Sequence, residues 1–372
     1  MKKMLSIAVI LLVAAMVLFP GAAFAGASNA IHLWWTVVLP ALLPFFICAQ
    51  LLLELKIMHR LGKSLEWLMR PLFNLPGEAA LAFVMGYCSG FPTGAAIAAS
   101  LRRDGLLSQE EGARLVAFTN NPSPLFILSG VATGIFQNPA YGPLLLGINY
   151  GLNLLLGIGL GIFSGQRRKQ SPPAKAIAPR AAIPPIPPFA NLLKNAARIA
   201  GGNIAIVGCY LVFFSVLNQC LAESGLLALL LEPLQALGLP QTVGEPLAKG
   251  VWEMTLGIEG IGKAGLPAAQ ALALTAALLG FSGISVQAQV AGMVSGTDIK
   301  IKPYLFCRLA HCLLSYIVSL FLFRFISLPA ATGQEIVGYA LHPWENLAFC
   351  LALLVLASIT GALLNRSRKS LS

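Results

Sequence analysis

The chain has 372 residues, of which 57% are hydrophobic and 10% charged, with a mean hydropathy of +0.78. A soluble domain carries about 25% charged residues, so these proportions exclude one and indicate a multi-pass membrane protein. The formal net charge of +11 is concentrated in short basic stretches such as Arg102-Arg103, Arg167-Arg168-Lys169 and Arg366 to Lys369, a pattern that sets membrane topology rather than one that forms a nucleic-acid surface.

The apolar runs are long and rich in Leu and Ala, as helices that cross about 30 Å of hydrocarbon require. Barrel strands would alternate over about 10 residues. The first predicted span covers about 4–25, behind Lys2 and Lys3. Ala23-Phe24-Ala25 also fits a cleavable signal peptide, so the N-terminus supports either reading. A second span, about 31–55, returns to a basic stretch with Lys56, Arg60, Lys63 and Arg70.

Residues about 78–101 are apolar but interrupted by Gly86, Gly90, Pro92 and Gly94. A re-entrant hairpin keeps the basic stretches on both sides of this segment on the inner face. The next span, about 113–137, contains Asn120-Asn121-Pro122-Ser123-Pro124. Proline donates no backbone hydrogen bond and disfavours helix at the preceding residue, so two half-helices with an unwound link are expected. Residues about 142–165 form the return span. A Pro- and Ala-rich linker follows at 166–190 and reads as an extended connector.

The second half repeats the plan. It has a span at about 201–222, an apolar segment at 224–238 and a Gly-rich hairpin at 246–264. An interrupted span at 267–295 and a span at 304–327 come next. A last span, 344–364, ends in the basic tail. The expected organisation is therefore an N-terminal span (1–28), a first repeat (29–165), the linker, a second repeat (191–330) and a C-terminal span with its tail (331–372). Three crossings per repeat place the second repeat upside down relative to the first, which gives two inverted-topology repeats in an all-α membrane fold. Both termini are expected in the cytoplasm.

Helix breakers and amides are costly in lipid unless they line a cavity or are buried in protein. The candidate solute-binding residues are therefore those at the breaks. They are Ser89 and Thr93 in the first hairpin, and Asn120, Asn121 and Ser123 in the first link. The second hairpin supplies Glu253 and Thr255, and the second interrupted span supplies Ser282, Ser285, Gln287 and Gln289. Ser282, Ser285 and Gln289 share a helical face, and Gln287 points elsewhere. Half-helix N-termini beside them would favour an anionic or polar solute. An intramembrane carboxylate such as Glu253 could also serve a coupling proton or cation. Asn149 with Asn153, and Arg308 with His311, are secondary candidates on the following spans. The same residues could instead cap helices or bond between them, and Arg308 could snorkel to the surface.

The seven cysteines and four histidines show no metal or disulfide spacing. No P-loop, GxSxG or HExxH is present. No cofactor, metal, nucleic-acid partner or enzymatic activity is therefore expected, and the bilayer and a small solute are the expected partners.

At Trp34-Trp35, Pro40, Leu43-Pro44-Phe45, Gly86 to Gly94, Gly105-Leu106 and Phe118-Thr119-Asn120-Asn121, the chain resembles the sporulation integral membrane protein YlbJ family. That family belongs to the wider nucleoside-recognition Gate group. The resemblance continues at Glu253-Met254-Thr255, Gly280-Phe281-Ser282-Gly283 and Gln287-Ala288-Gln289, and covers about 30–330. It implies a spore-forming bacterium, a place in the cell or forespore membrane, and movement of a solute. Dipicolinate is a cargo suggested by that context. The competing reading is a non-transporting scaffold for cortex or coat assembly.

Overall fold

A computed structural model of the chain describes residues 2–55, 57–164, 188–236, 239–326 and 328. The expected last span and tail lie outside the described residues, as does the linker up to residue 187. Among the described residues the fold is entirely helical, with fifteen α-helices, two π-helical segments and one 3₁₀ turn at Gly77–Ala79. Among these residues four helical columns are long and apolar enough to cross a membrane, Tyr141–Phe163, Phe189–Glu223, Ala268–Val294 and Lys302–Leu322, and a bent pair near the N-terminus passes the same test as one broken span.

The N-terminal region comprises α1 (Lys2–Leu18), α2 (Pro20–Leu33), a π segment (Trp34–Val38) and α3 (Leu39–Glu54). The stretch read from hydropathy as one span is two helices. They meet at Phe19–Pro20 with a bend of 104°, because Pro20 opens α2 and cannot extend the ladder of α1. The α2 and α3 helices run along the long α9 (Phe189–Glu223), tied by the Trp34 indole donating to the Ile204 carbonyl at 3.1 Å.

After α4 (Ile57–Phe73), α5 (Ala80–Ser89) and α6 (Thr93–Arg103) pack as a hairpin. The broken span follows as α7 (Gln109–Phe118), an irregular link, and a π segment (Phe126–Ile135). A capping box starts α7: Ser108 Oγ accepts from the Glu111 amide, and the Glu111 carboxylate accepts from the Ser108 amide. The helix ends where Pro122 and Pro124 prevent continuation. The return helix is α8 (Tyr141–Phe163).

The second half has α10 (Leu226–Ala236), then a second hairpin of α11 (Gln241–Trp252) and α12 (Met254–Lys263). Its broken span is α13 (Ala268–Phe281) and α14 (Gly283–Val294), interrupted at Ser282, which sits at φ +72°. The last described helix is α15 (Lys302–Leu322). Each half thus runs hairpin, interrupted helix, helix.

The halves share their cores. One cluster joins Phe73, Ala95 and Phe118 to Met254, Val286 and Val290; the other joins Ile127, Tyr141 and Leu145 to Leu272, Leu274 and Leu279. At one end of the bundle Arg102 grips Asp298 through two contacts, Nε–Oδ1 at 2.8 Å and Nη2–Oδ2 at 2.9 Å, and Gln109 donates to the Asp298 carbonyl at 2.6 Å. Gly262, near the end of α12, packs against Ile135 at the close of the first broken span. The α13–α14 column begins just after α12 and finishes just before Asp298, so these two contacts lie at opposite ends of that column. Large apolar side chains such as Leu11, Val17, Phe163, Phe306 and Phe321 are exposed, as a lipid-facing surface requires.

Candidate functional site

In each half the break of the hairpin meets the break of the interrupted span. Gly90 adopts φ +83°, and a Cβ there would lie 2.7 Å from the Ser123 amide nitrogen. Gly283 adopts φ +71°, and a Cβ there would lie 2.9 Å from the Met254 amide nitrogen. Only glycine meets both the left-handed conformation and the approach.

The first link is a buried polar cluster. Asn120, Asn121 and Ser123 are each at most 2% exposed. The Asn120 side-chain oxygen accepts from the Ala95 amide at 3.0 Å, capping the first turn of α6, and its nitrogen donates to the Val116 carbonyl. Ser123 Oγ accepts from the Phe126 amide at 3.1 Å and so caps the following segment. The Asn153 amide reaches in from α8 and donates to Asn121 Oδ1 at 2.6 Å and to the Phe118 carbonyl. Capping, one of the two roles open from the sequence, is thus the observed role of Asn120 and Ser123.

Arg308 joins this cluster from the other half. It is fully buried and does not snorkel. Nη1 donates to the Asn120 carbonyl at 3.1 Å, and Nη2 donates to the Ala117 carbonyl at 3.2 Å and to Asn153 Oδ1. Its cation therefore sits on the carbonyl end of α7, where the helix carries about half a negative charge. The Tyr304 ring lies 5.5 Å from the guanidinium carbon. Among the described residues no carboxylate pairs with Arg308. One turn on, His311 Nε2 lies 3.0 Å from the Asn149 carbonyl.

The second hairpin and its interrupted span form a separate group. Glu253 is buried, and its oxygens accept from the Leu256 amide at 2.9 Å and Thr255 Oγ1 at 3.1 Å, so the carboxylate caps α12. Ser282 donates to the Leu279 carbonyl, and Gln287 donates to the Phe281 carbonyl. Ser282, Ser285 and Gln289 are buried, while Gln287 is only half-buried, as its different helical face predicts. The hydroxyls of Ser89, Thr93 and Ser285 are buried without a protein partner.

Three features escaped the sequence. Tyr150 places its hydroxyl 2.6 Å from the Tyr87 carbonyl and 2.8 Å from the Pro122 carbonyl, bracing both breaks of the first half. Tyr87 in turn accepts from Asn153 at 3.3 Å. Beside the second hairpin, a cavity of about 420 Å³ is lined by Asn218, Gln219, Glu245, Lys249, Glu259 and Lys263, among others. Hydropathy treats tyrosine as apolar filling, and the cavity's polar residues are scattered over separate helices, so neither leaves a motif.

A family model for nucleoside recognition, Gate, matches residues 35–139. The sporulation integral membrane protein YlbJ of Bacillus subtilis (strain 168) is 36% identical over 313 residues, covering 80% of this chain and 77% of the relative. No solved structure matches.

Proposed function

The chain belongs to the YlbJ family of sporulation integral membrane proteins, and from that premise we propose a carrier. It moves a small anionic solute, with dipicolinate as the leading candidate, across a membrane of the sporulating cell by alternating access. The observation that carries this reading is Arg308. A buried cation is expensive unless it is paired, and the carbonyl end of α7 offsets about half of its charge. An anion arriving beside Arg308, at the contact between the two halves, completes the pairing.

The arrangement of the hairpins supports alternating access. We read the Arg102–Asp298 contact, at the ends of α6 and α14, as one membrane side, and the Gly262–Ile135 contact, at the end of α12, as the other. Hairpins entering from opposite sides are what inverted repeats require. A cavity lies beside α11 and α12 on the side of Lys263.

Uptake by proteoliposomes of labelled dipicolinate, uridine and ferrous iron tests the reading. Saturable dipicolinate uptake that is lost in Arg308→Gln is expected. Dipicolinate counts equal to those of protein-free vesicles would overturn the cargo, and uptake unchanged by Arg308→Gln would overturn the site.

A further inference from the structure

Along one face of α15 stand Arg308, His311, Ser315 and Ser319, at steps of three, four and four residues. All four are 0% exposed, and helical geometry puts them in one line. Beyond Arg308 the line has a common property: His311 Nδ1, Ser315 Oγ and Ser319 Oγ all lack a protein partner. One neighbour extends it: Asn149 of α8, whose carbonyl meets His311, has both side-chain amide atoms unpartnered. On α13, the helix packed along α15, Thr275 also has an unpartnered hydroxyl. Both are also 0% exposed.

Serines in apolar helices ordinarily satisfy themselves on a carbonyl of the preceding turn. Ser164, Ser282 and Ser295 do so here, each donating to the carbonyl three residues back. Ser315 and Ser319 do not, and an asparagine amide or an imidazole Nδ1 has no equivalent retreat. Buried polar groups in this number demand partners, and polar sites of this kind hold ordered water. From His311 to the end of α15 at Leu322 is about 16 Å at 1.5 Å per residue, roughly half of the hydrocarbon core.

We propose that this line is a proton half-channel, running from the membrane face near the end of α15 to His311, and that His311 carries the proton that accompanies the anion held at Arg308. The proposal rests on the carrier reading and names its coupling ion. The proton passes from bulk water along hydrogen-bonded water and hydroxyls to Nδ1, and leaves to the opposite bulk phase when the site reopens there. The guanidinium of Arg308, one turn away, opposes a second cation on His311. A bound carboxylate cancels that opposition, so anion and proton favour each other's binding reciprocally. The groups facing the imidazole are Arg308 from its own helix and Asn149 from α8, while Gly280 of α13 packs against the His311 backbone. Tyr304 and Cys307 of α15 and Tyr87 of α5 are the titratable groups near Arg308.

The test uses the full chain in lipid bilayers, carrying His32→Gln, His59→Gln and His342→Gln so that His311 alone reports, with ¹⁵N-labelled histidine. In water-edited solid-state NMR, magnetisation from water should reach the His311 ring. The double variant Ser315→Val, Ser319→Val should slow that build-up several-fold. A ring unreached by water, or a build-up indifferent to the valines, overturns the half-channel whatever the cargo. In a second measurement, Arg308→Gln should raise the charged-imidazole signal at pH 6 without any anion, while Arg308→Lys should not. A silent Arg308→Gln overturns the coupling. Dipicolinate should produce the same signal in the unaltered arginine background. A response to Arg308→Gln but none to dipicolinate upholds the His311–Arg308 linkage and refutes the cargo alone.

Discussion

Replacing Gly86 or Gly94 by alanine should unfasten the first hairpin from the first broken span. A Cβ on Gly86 would lie 1.9 Å from the Thr119 carbonyl oxygen, and one on Gly94 would lie 2.2 Å from the same atom. Carbon–oxygen contacts settle near 3.3 Å or beyond, so the arm or the carbonyl must retreat by about 1.4 Å at Gly86 and about 1.1 Å at Gly94. Neither is free to do so, because the next residue, Asn120, holds Ala95 with its side chain and Arg308 with its carbonyl. Overpacking costs about 1–3 kcal/mol where side chains can give, and a clash with backbone belongs at the upper end. Alanine regains up to about 1 kcal/mol of helix propensity over glycine, which leaves a net loss of about 2 kcal/mol. Gly147 and Gly151 in α8 have nothing within 4 Å of a built Cβ, so Gly147→Ala should be neutral or stabilising. Thermal unfolding can be followed with a thiol-reactive dye in a background where the exposed Cys48, Cys88 and Cys209 are serine, since Cys220, Cys307 and Cys312 are buried. At about 2–4 °C per kcal/mol, Gly86→Ala should melt roughly 4–8 °C below the parent while Gly147→Ala does not. Equal melting of the two variants would refute the clasp on Thr119.

Asn153→Ala should destabilise the protein by about 3 kcal/mol, because it strips an acceptor from a buried guanidinium. Asn153→Asp should recover that stability by pairing with Arg308, yet abolish dipicolinate binding in calorimetry, since the charge is then already neutralised. Glu253→Gln should keep the thermal stability of the parent because a side-chain oxygen still caps Leu256, whereas Glu253→Ala should lose about 1 kcal/mol. Arg102 holds the Asp298 carboxylate below its ordinary value by hydrogen bonding. A lowered carboxylate contributes at pH above its unfolded value and loses that contribution as pH falls through the lowered one. Amide-exchange protection of the 104–108 loop, corrected for intrinsic rates, should therefore be flat from pH 7 to about 4.5 and fall only below the usual Asp value near 3.8. The Asp298→Asn variant should show no such fall.

The breaks were legible because their causes are local. Pro122 and Pro124 interrupt the first span by covalent geometry, and Gly90 and Gly283 supply left-handed turns that other residues resist. The bend at Phe19–Pro20 had an equally local signal, but it is lost when hydropathy is averaged over a window. The sequence keeps Arg308 open between surface and interior because its environment is built by residues 117, 120 and 153, far away in sequence. Its nearness to Lys302 suggested the surface, while three acceptors from the other half put it in the interior. The amides were recognised as residents of the breaks, yet no spacing rule could say that Asn120 would cap α6 while Asn153 would hold the arginine.

Opposite entry of the two hairpins is the claim on which alternating access stands, and site-directed labelling tests it most directly. Arg103 and Lys263 are exposed, so Arg103→Cys and Lys263→Cys can each be placed in a background where the exposed Cys48, Cys88 and Cys209 are serine. With a membrane-impermeant maleimide added to sealed vesicles of known orientation, the account predicts labelling of position 103 from the cytoplasmic side only and of position 263 from the opposite side only. Labelling of both positions from one side would contradict it.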